Sequence, residues 1–219
     1  MTAIETSNLL LFVGASLLLI IAPGPDIIFL VTQGVTRGPR AGFATAMGLA
    51  AGNLVHTTAA ALGVSAIFRA SALAFQALKI AGVAYLLYLA WKTAHEKVGD
   101  PGLAVNHRDG GGPVPHSPNL LWRGFLMNTF NPKVALFFLA FLPQFVDQDG
   151  APVWMQMVVY GVLFTGLVVI VFGGIGVVSG MLREWIGARI ARPAIGAWAR
   201  WVVVAVYAGL ATRLFLVSR

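Results

Sequence analysis

The composition of this 219-residue chain excludes a water-soluble globular domain and indicates a protein embedded in lipid. Hydrophobic residues make up 58% of the sequence and charged residues 11%, with a mean hydropathy of +0.81, whereas a soluble domain carries about 25% charged residues. The net charge of +7 comes from basic residues dispersed between apolar stretches, which is typical of membrane topology rather than of nucleic-acid binding. Cysteine is absent, so disulfides and thiolate metal sites are excluded.

Six apolar segments follow along the chain, each long enough to cross a bilayer core of about 30 Å as a helix of about 20 residues. They cover approximately residues 8–34, 41–68, 70–91, 120–146, 150–182 and 194–217. We therefore predict an all-α membrane protein with six transmembrane helices. Glu5 stands where a signal peptide carries basic residues, so we expect no cleaved signal.

Basic residues are unevenly distributed between the two sides of this predicted bundle. One side, which includes the connections after helices one, three and five, carries ten: Arg37, Arg40, Lys92, Lys97, Arg108, Arg123, Arg183, Arg189, Arg192 and Arg200. The other side carries Arg69, Arg213 and Arg219. The positive-inside rule then predicts that both termini face the periplasm of a bacterial inner membrane.

A segment rich in glycine and proline, 99–119, separates the first three predicted helices from the last three. This composition predicts a flexible cytoplasmic linker between a three-helix half at 1–98 and a second at 120–219. The glycine pairs Gly48/Gly52 and Gly176/Gly180 predict close helix packing, and glycine-rich faces of this kind are also compatible with a homodimer.

Proline interrupts the first helix of each half. The first contains Ala22-Pro23-Gly24-Pro25-Asp26, and the fourth contains Asn131-Pro132-Lys133. A proline inside a helix removes a hydrogen bond and clashes with the preceding turn, so both helices should break or kink. Because each half has three helices, the halves enter from opposite sides and form an inverted repeat. Matched breaks of this kind indicate the central site of a transporter, although prolines in membrane helices also occur as simple kinks.

These segments resemble the lysine exporter (LysE/RhtB) family of amino-acid exporters. The similarity lies in Ala22-Pro23-Gly24-Pro25-Asp26, in 79–92 with its Gly82, Tyr85 and Tyr88, and in 124–145 with its Asn131-Pro132-Lys133 motif. The resemblance implies export of amino acids or homoserine-lactone-like derivatives, driven by the proton gradient. Among amino acids, the homoserine/threonine, branched-chain and basic types all remain open. It implies no cofactor.

Asp26 and Lys133 are the strongest candidates for the transport site. A charge at membrane depth costs at least about 2.5–3.5 kcal/mol and therefore normally faces a cavity or a partner. If the two breaks meet at the bundle centre, the two side chains can pair and act as counter-ions for the ammonium and carboxylate of a substrate. The alternative is an ion pair that only holds the halves together.

Four further residues are candidates for substrate or ion binding. Asn131 is expected to cap the half-helix after it, or to contact ligand. Asn53 and His56 lie three residues apart on one face of the second helix, where His56 relays protons or makes a structural hydrogen bond. Lys79 lies roughly 13 Å into the third helix, where it serves substrate or reaches the interface by extending its side chain.

Other functional classes fit less well. A membrane-embedded enzyme needs clustered metal ligands or a nucleophile with a base, and the four histidines, at 56, 95, 107 and 116, form no such motif. An inorganic cation transporter favours several intramembrane carboxylates or thiolates, but Asp26 is the only such residue in the six predicted helices. A structural subunit has no need of two charges beside matched breaks. We therefore predict a proton-coupled exporter with no metal, cofactor or nucleic-acid partner.

Overall fold

The computed structural model describes residues 6–22, 24–64, 72–95, 119–147 and 150–182, with isolated positions between 201 and 215. Within these residues the chain is helical and contains no strand. They form seven α-helices: α1 Thr6–Ile21, α2 Pro25–Arg37, α3 Pro39–Ala59, α4 Ala72–His95, α5 Leu120–Thr129, α6 Pro132–Leu136 and α7 Val153–Met181.

Both predicted helix breaks are present. The axes of α1 and α2 differ by 60°, and those of α5 and the segment Pro132–Phe145 differ by 49°. Pro25 is the first residue of α2 and Pro132 the first of α6, a position that suits proline because its missing N–H would have no partner there. Pro23 lies outside the described residues.

The fourth predicted helix departs from the expected α-helix beyond its break. After α6 the chain makes a π-helical turn over Phe137–Phe141 and then a 3-10 turn over Leu142–Phe145, which contains Pro143. A second π-helical turn, Ala60–Val64, extends α3. A π-turn accommodates one more residue than an α-turn, and hydrophobic periodicity alone does not reveal it.

Helix α3 packs between α5 and α7 at glycines that allow backbone contact. A Cβ at Gly124 of α5 would lie 2.7 Å from the carbonyl oxygen of Thr45 in α3, and a Cβ at Gly176 of α7 would lie 2.7 Å from that of Gly42. A Cβ at Gly48 would lie closer still to the carbonyl oxygen of Leu121 in α5. Larger side chains here would separate the helices, so these glycines set the distances across the bundle.

An aromatic cluster forms part of the buried core. Its members are all at most 2% exposed: Phe12, Phe137, Phe138, Phe141, Phe145, Tyr160 and Phe164. Tyr160 donates a hydrogen bond from its hydroxyl to the carbonyl oxygen of Phe145 at 3.1 Å. This bond ties the end of the 3-10 turn to α7.

By length and apolar composition, α7 is long enough to cross a membrane. The bent pair α1/α2 and the bent pair formed by α5 with Pro132–Phe145 each add one span if they are counted as single broken spans. The described residues thus contain up to three spans. The described positions between 201 and 215, within the sixth predicted helix, are helical.

Candidate substrate site

Asp26 and Lys133 form a buried ion pair where the two broken helices meet. Lys133 Nζ lies 2.9 Å from Asp26 Oδ2 and 3.2 Å from Oδ1, and it donates a further hydrogen bond to the carbonyl oxygen of Ala22 at 3.1 Å. The side chain of Lys133 is 5% exposed and that of Asp26 is 2% exposed. The predicted pairing of these two charges is confirmed.

The two breaks place the charges in equivalent positions. Asp26 is the second residue of α2 and Lys133 the second of α6, and each directly follows the proline that begins its helix. Gly24 leaves the space between them open, because a Cβ there would lie 2.6 Å from Asp26 Oδ1 and 3.1 Å from Lys133 Nζ. The N-terminal end of α2 stabilises the carboxylate, and the carbonyl that follows α1 stabilises the ammonium.

Asn131 caps α6, as predicted. Its side-chain Oδ1 accepts a hydrogen bond from the backbone N–H of Lys133 at 3.0 Å, which satisfies one of the free donors at a helix start. Its Nδ2 is buried and has no hydrogen-bond partner among the described residues. The two N–H groups of this amide therefore remain unused after the cap is formed, although Asn131 does not line the cavity described below.

Asn128 links α5 to α3 beside the ion pair, although it is not among the site residues predicted from the sequence. Its Nδ2 donates to Asn53 Oδ1 and to the carbonyl oxygen of Leu49, both at 2.6 Å. His56 Nε2 donates to the backbone carbonyl of Asn128 at 2.9 Å. Like Asn53, Asn128 is an amide in a mostly apolar helix, and this signal would have predicted it.

Asn53 retains an unused donor next to this network. Its side chain is 1% exposed, and its Nδ2 has no hydrogen-bond partner among the described residues. A buried amide donor without a partner costs about 1–3 kcal/mol. This cost is removed only when an acceptor in the site receives a hydrogen bond from the amide.

These groups line a small, partly enclosed cavity of about 10 Å³, which is enough for about one water molecule. Its polar lining residues are Asp26, Lys133, Asn53 and Asn128. The rest of its lining is apolar: Leu19, Ile20, Val134, Phe164, Val168 and Phe172. The site thus combines both charges of an ion pair with an apolar wall.

The structure brings together part of the predicted residue set. Asp26, Lys133 and Asn53 line the cavity, while His56 is one hydrogen bond away from it through Asn128. Lys79 belongs to α4, but its side chain lies outside what the structure describes. The described residues contain no group of three or more His, Asp or Glu side chains suited to a metal ion.

Comparison with known proteins gives the family. Residues 17–216 match the LysE type translocator family. Relatives include the membrane protein YrhP of Bacillus subtilis (strain 168), which has no assigned function and is 27% identical over 181 residues, 81% of this chain and 86% of that protein. The leucine efflux protein of Enterobacter sp. (strain 638) is 29% identical over 140 residues, 64% of each chain.

A further leucine efflux protein, from Klebsiella pneumoniae subsp. pneumoniae, is 28% identical over 145 residues, 65% of each chain. No solved structure matches significantly. The family match covers nearly the whole chain and includes both helix breaks and both charged residues of the site. The chain therefore belongs to the LysE type translocator family and is a transporter rather than an enzyme.

Proposed function

We propose that this protein exports an amino acid or a close derivative from the cytoplasm and binds it between Asp26 and Lys133. The observation that carries the proposal is the buried ion pair at two equivalent helix breaks, on the wall of a cavity. Relatives named leucine efflux proteins support the same class of substrate.

The chemistry of the pair suits a zwitterion. Asp26 can bind the ammonium of the substrate and Lys133 its carboxylate, so that each buried charge keeps an opposite partner after the direct contact opens. The free Nδ2 of Asn53 supplies a further donor for the carboxylate. An inorganic cation is a poorer fit, because the ammonium of Lys133 occupies the position against Asp26 where a cation would bind.

We further propose the architecture in which this site works. Six spans form two inverted three-helix halves, 1–98 and 120–219, with both termini in the periplasm and the linker 99–119 in the cytoplasm. The equivalent positions of the two charges after their prolines support this repeat. Movement of one half against the other around the site would then expose it to each side in turn.

Export requires an energy source, and we propose antiport with protons. Asp26 and His56 are groups on α2 and α3 that can bind and release a proton, and Asn128 connects the region of His56 to the cavity. In sealed vesicles containing the purified protein, a pH gradient should drive amino-acid uptake or efflux according to its direction. Transport that is unchanged after both the pH gradient and the membrane potential are abolished would contradict proton coupling.

The test of the function itself is efflux from preloaded cells. Cells that carry the protein should release at least one member of a panel of radiolabelled amino acids faster than cells without it, and Asp26→Asn should remove this difference. Asp147→Asn is the matched control, because Asp147 is an exposed carboxylate outside the cavity. Equal efflux by Asp26→Asn and the unmodified protein, at equal membrane levels, would refute the proposed site.

A further inference from the structure

The cavity has apolar lining residues as well as charged ones. Its four polar residues can bind the ammonium and carboxylate groups that all amino acids share. The remaining six lining side chains, contributed by α1, α6 and α7, are hydrocarbon or aromatic. They provide no side-chain hydrogen-bond donor or acceptor, so this wall differs chemically from the end that holds the ion pair.

Helix α7 contributes a continuous stripe to this wall. Phe164, Val168 and Phe172 are spaced four residues apart, so they lie on one face of the helix, and they are 2%, 3% and 3% exposed. Val162 and Ile170 belong to the same helix but are 57% and 72% exposed. The stripe is therefore the face of α7 that the site uses, and the other two residues lie away from it.

We propose that the α7 stripe, formed by Phe164, Val168 and Phe172, receives the side chain of the substrate and selects amino acids with apolar side chains. This inference rests on the proposed function, since it requires the shared ammonium and carboxylate to be held by Asp26 and Lys133. With both groups held by Asp26 and Lys133, the side chain is left to contact the apolar part of the lining. A charged or amide side chain would lose its hydrogen bonds to water there without replacement.

Val168 is the position that limits the size of the substrate side chain. It lies at the centre of the stripe, between the two phenylalanines, so its own volume limits the space beside the ion pair. Val168→Phe should exclude leucine while still admitting alanine, and Val168→Ala should admit phenylalanine. In an apolar pocket, one methylene changes discrimination by about 10–200-fold, so we expect a change of at least about tenfold in the leucine-to-alanine ratio for Val168→Phe.

The experiment measures export of leucine, alanine, phenylalanine and lysine by the full-length protein in proteoliposomes. The unmodified protein should transport leucine and not lysine. Val168→Phe should lower the leucine-to-alanine ratio, and Val168→Ala should raise the phenylalanine-to-leucine ratio. Val162→Phe and Val162→Ala are the matched controls and should leave both ratios unchanged, because Val162 lies outside the cavity.

Several outcomes would overturn the inference, and they separate it from the proposed function. If the Val168 variants lower transport of every amino acid by the same factor, or if lysine is exported as well as leucine, the stripe does not select the side chain. Export that still depends on Asp26 would then leave the proposed function standing. If the unmodified protein exports no amino acid, both proposals fail. Should Val168→Phe not fold, the Val168→Ala ratio decides by itself.

Discussion

Removing the charges of Asp26 and Lys133 one at a time and then together should separate their contribution to stability from their contribution to transport. Breaking a buried ion pair by removing one partner destabilises a protein by about 3–5 kcal/mol, because the other charge stays buried without compensation. Lys133→Met should have the larger effect, since it removes the side-chain donor that lies 2.9 Å from the Asp26 carboxylate. Asp26→Asn leaves Lys133 its hydrogen bond to the Ala22 carbonyl.

The double variant, Asp26→Asn with Lys133→Met, should recover most of the lost stability. Replacing both members of a buried ion pair by neutral groups is often neutral or stabilising, so the coupling energy of the double-mutant cycle should be about 3 kcal/mol or more. The free energy of unfolding can be measured by denaturant titration of the purified protein in mixed micelles. We expect no amino-acid export from the double variant, because both counter-ions of the substrate are missing.

Two results would refute this reasoning in different ways. If either single variant is as stable as the unmodified protein, the ion pair is not the buried, coupled pair that the distances indicate. If the double variant exports at the normal rate, the pair has only a structural role and the substrate binds elsewhere. Asn53, His56 and Lys79 would then be the remaining candidates for substrate binding.

The remaining predictions concern packing, the amide network and topology. Gly124→Ala should lower the free energy of unfolding by about 1–3 kcal/mol, since its Cβ would lie 2.7 Å from the Thr45 carbonyl oxygen. Gly166→Ala should raise the free energy of unfolding by up to about 1 kcal/mol, because a Cβ there has no neighbour within 4 Å. Asn128→Ala should cost about 1–3 kcal/mol, because Asn53 Oδ1 loses its donor, and unfolding titration checks all three. A periplasmic reporter should be active when fused after Arg219 and inactive near Gly110; the reverse pattern would contradict the proposed orientation.

Local sequence rules were sufficient to predict the breaks and the pair. Pro25 and Pro132 cannot continue a helix, whatever packs around them, so their effect could be read from the sequence. The pairing of Asp26 with Lys133 followed from the cost of burying either charge alone. The capping role of Asn131 likewise depends on a local preference and on contacts only two residues apart.

The amide network and the apolar wall depend on tertiary contacts that these rules do not contain. Asn128 meets Asn53 because α5 and α3 approach to backbone contact, and that distance is set by Gly48 and Gly124. The hydrogen-bond partner of the His56 side chain could not be predicted, since it is a backbone carbonyl 72 residues away in the chain. The selection of Val168 among many apolar residues of α7 requires knowing which face the cavity meets.

The π-helical turn at Phe137–Phe141 gives this part of the chain an unusual tolerance in length. Deleting one residue from a regular α-helix rotates everything beyond the deletion by about 100° and turns its buried face outwards. In a π-turn, the same deletion converts the turn to α-helix, and the chain segments on both sides keep their orientation. Lys133 on one side and Phe145 on the other would keep their orientations, so relatives one residue shorter here can preserve the same site.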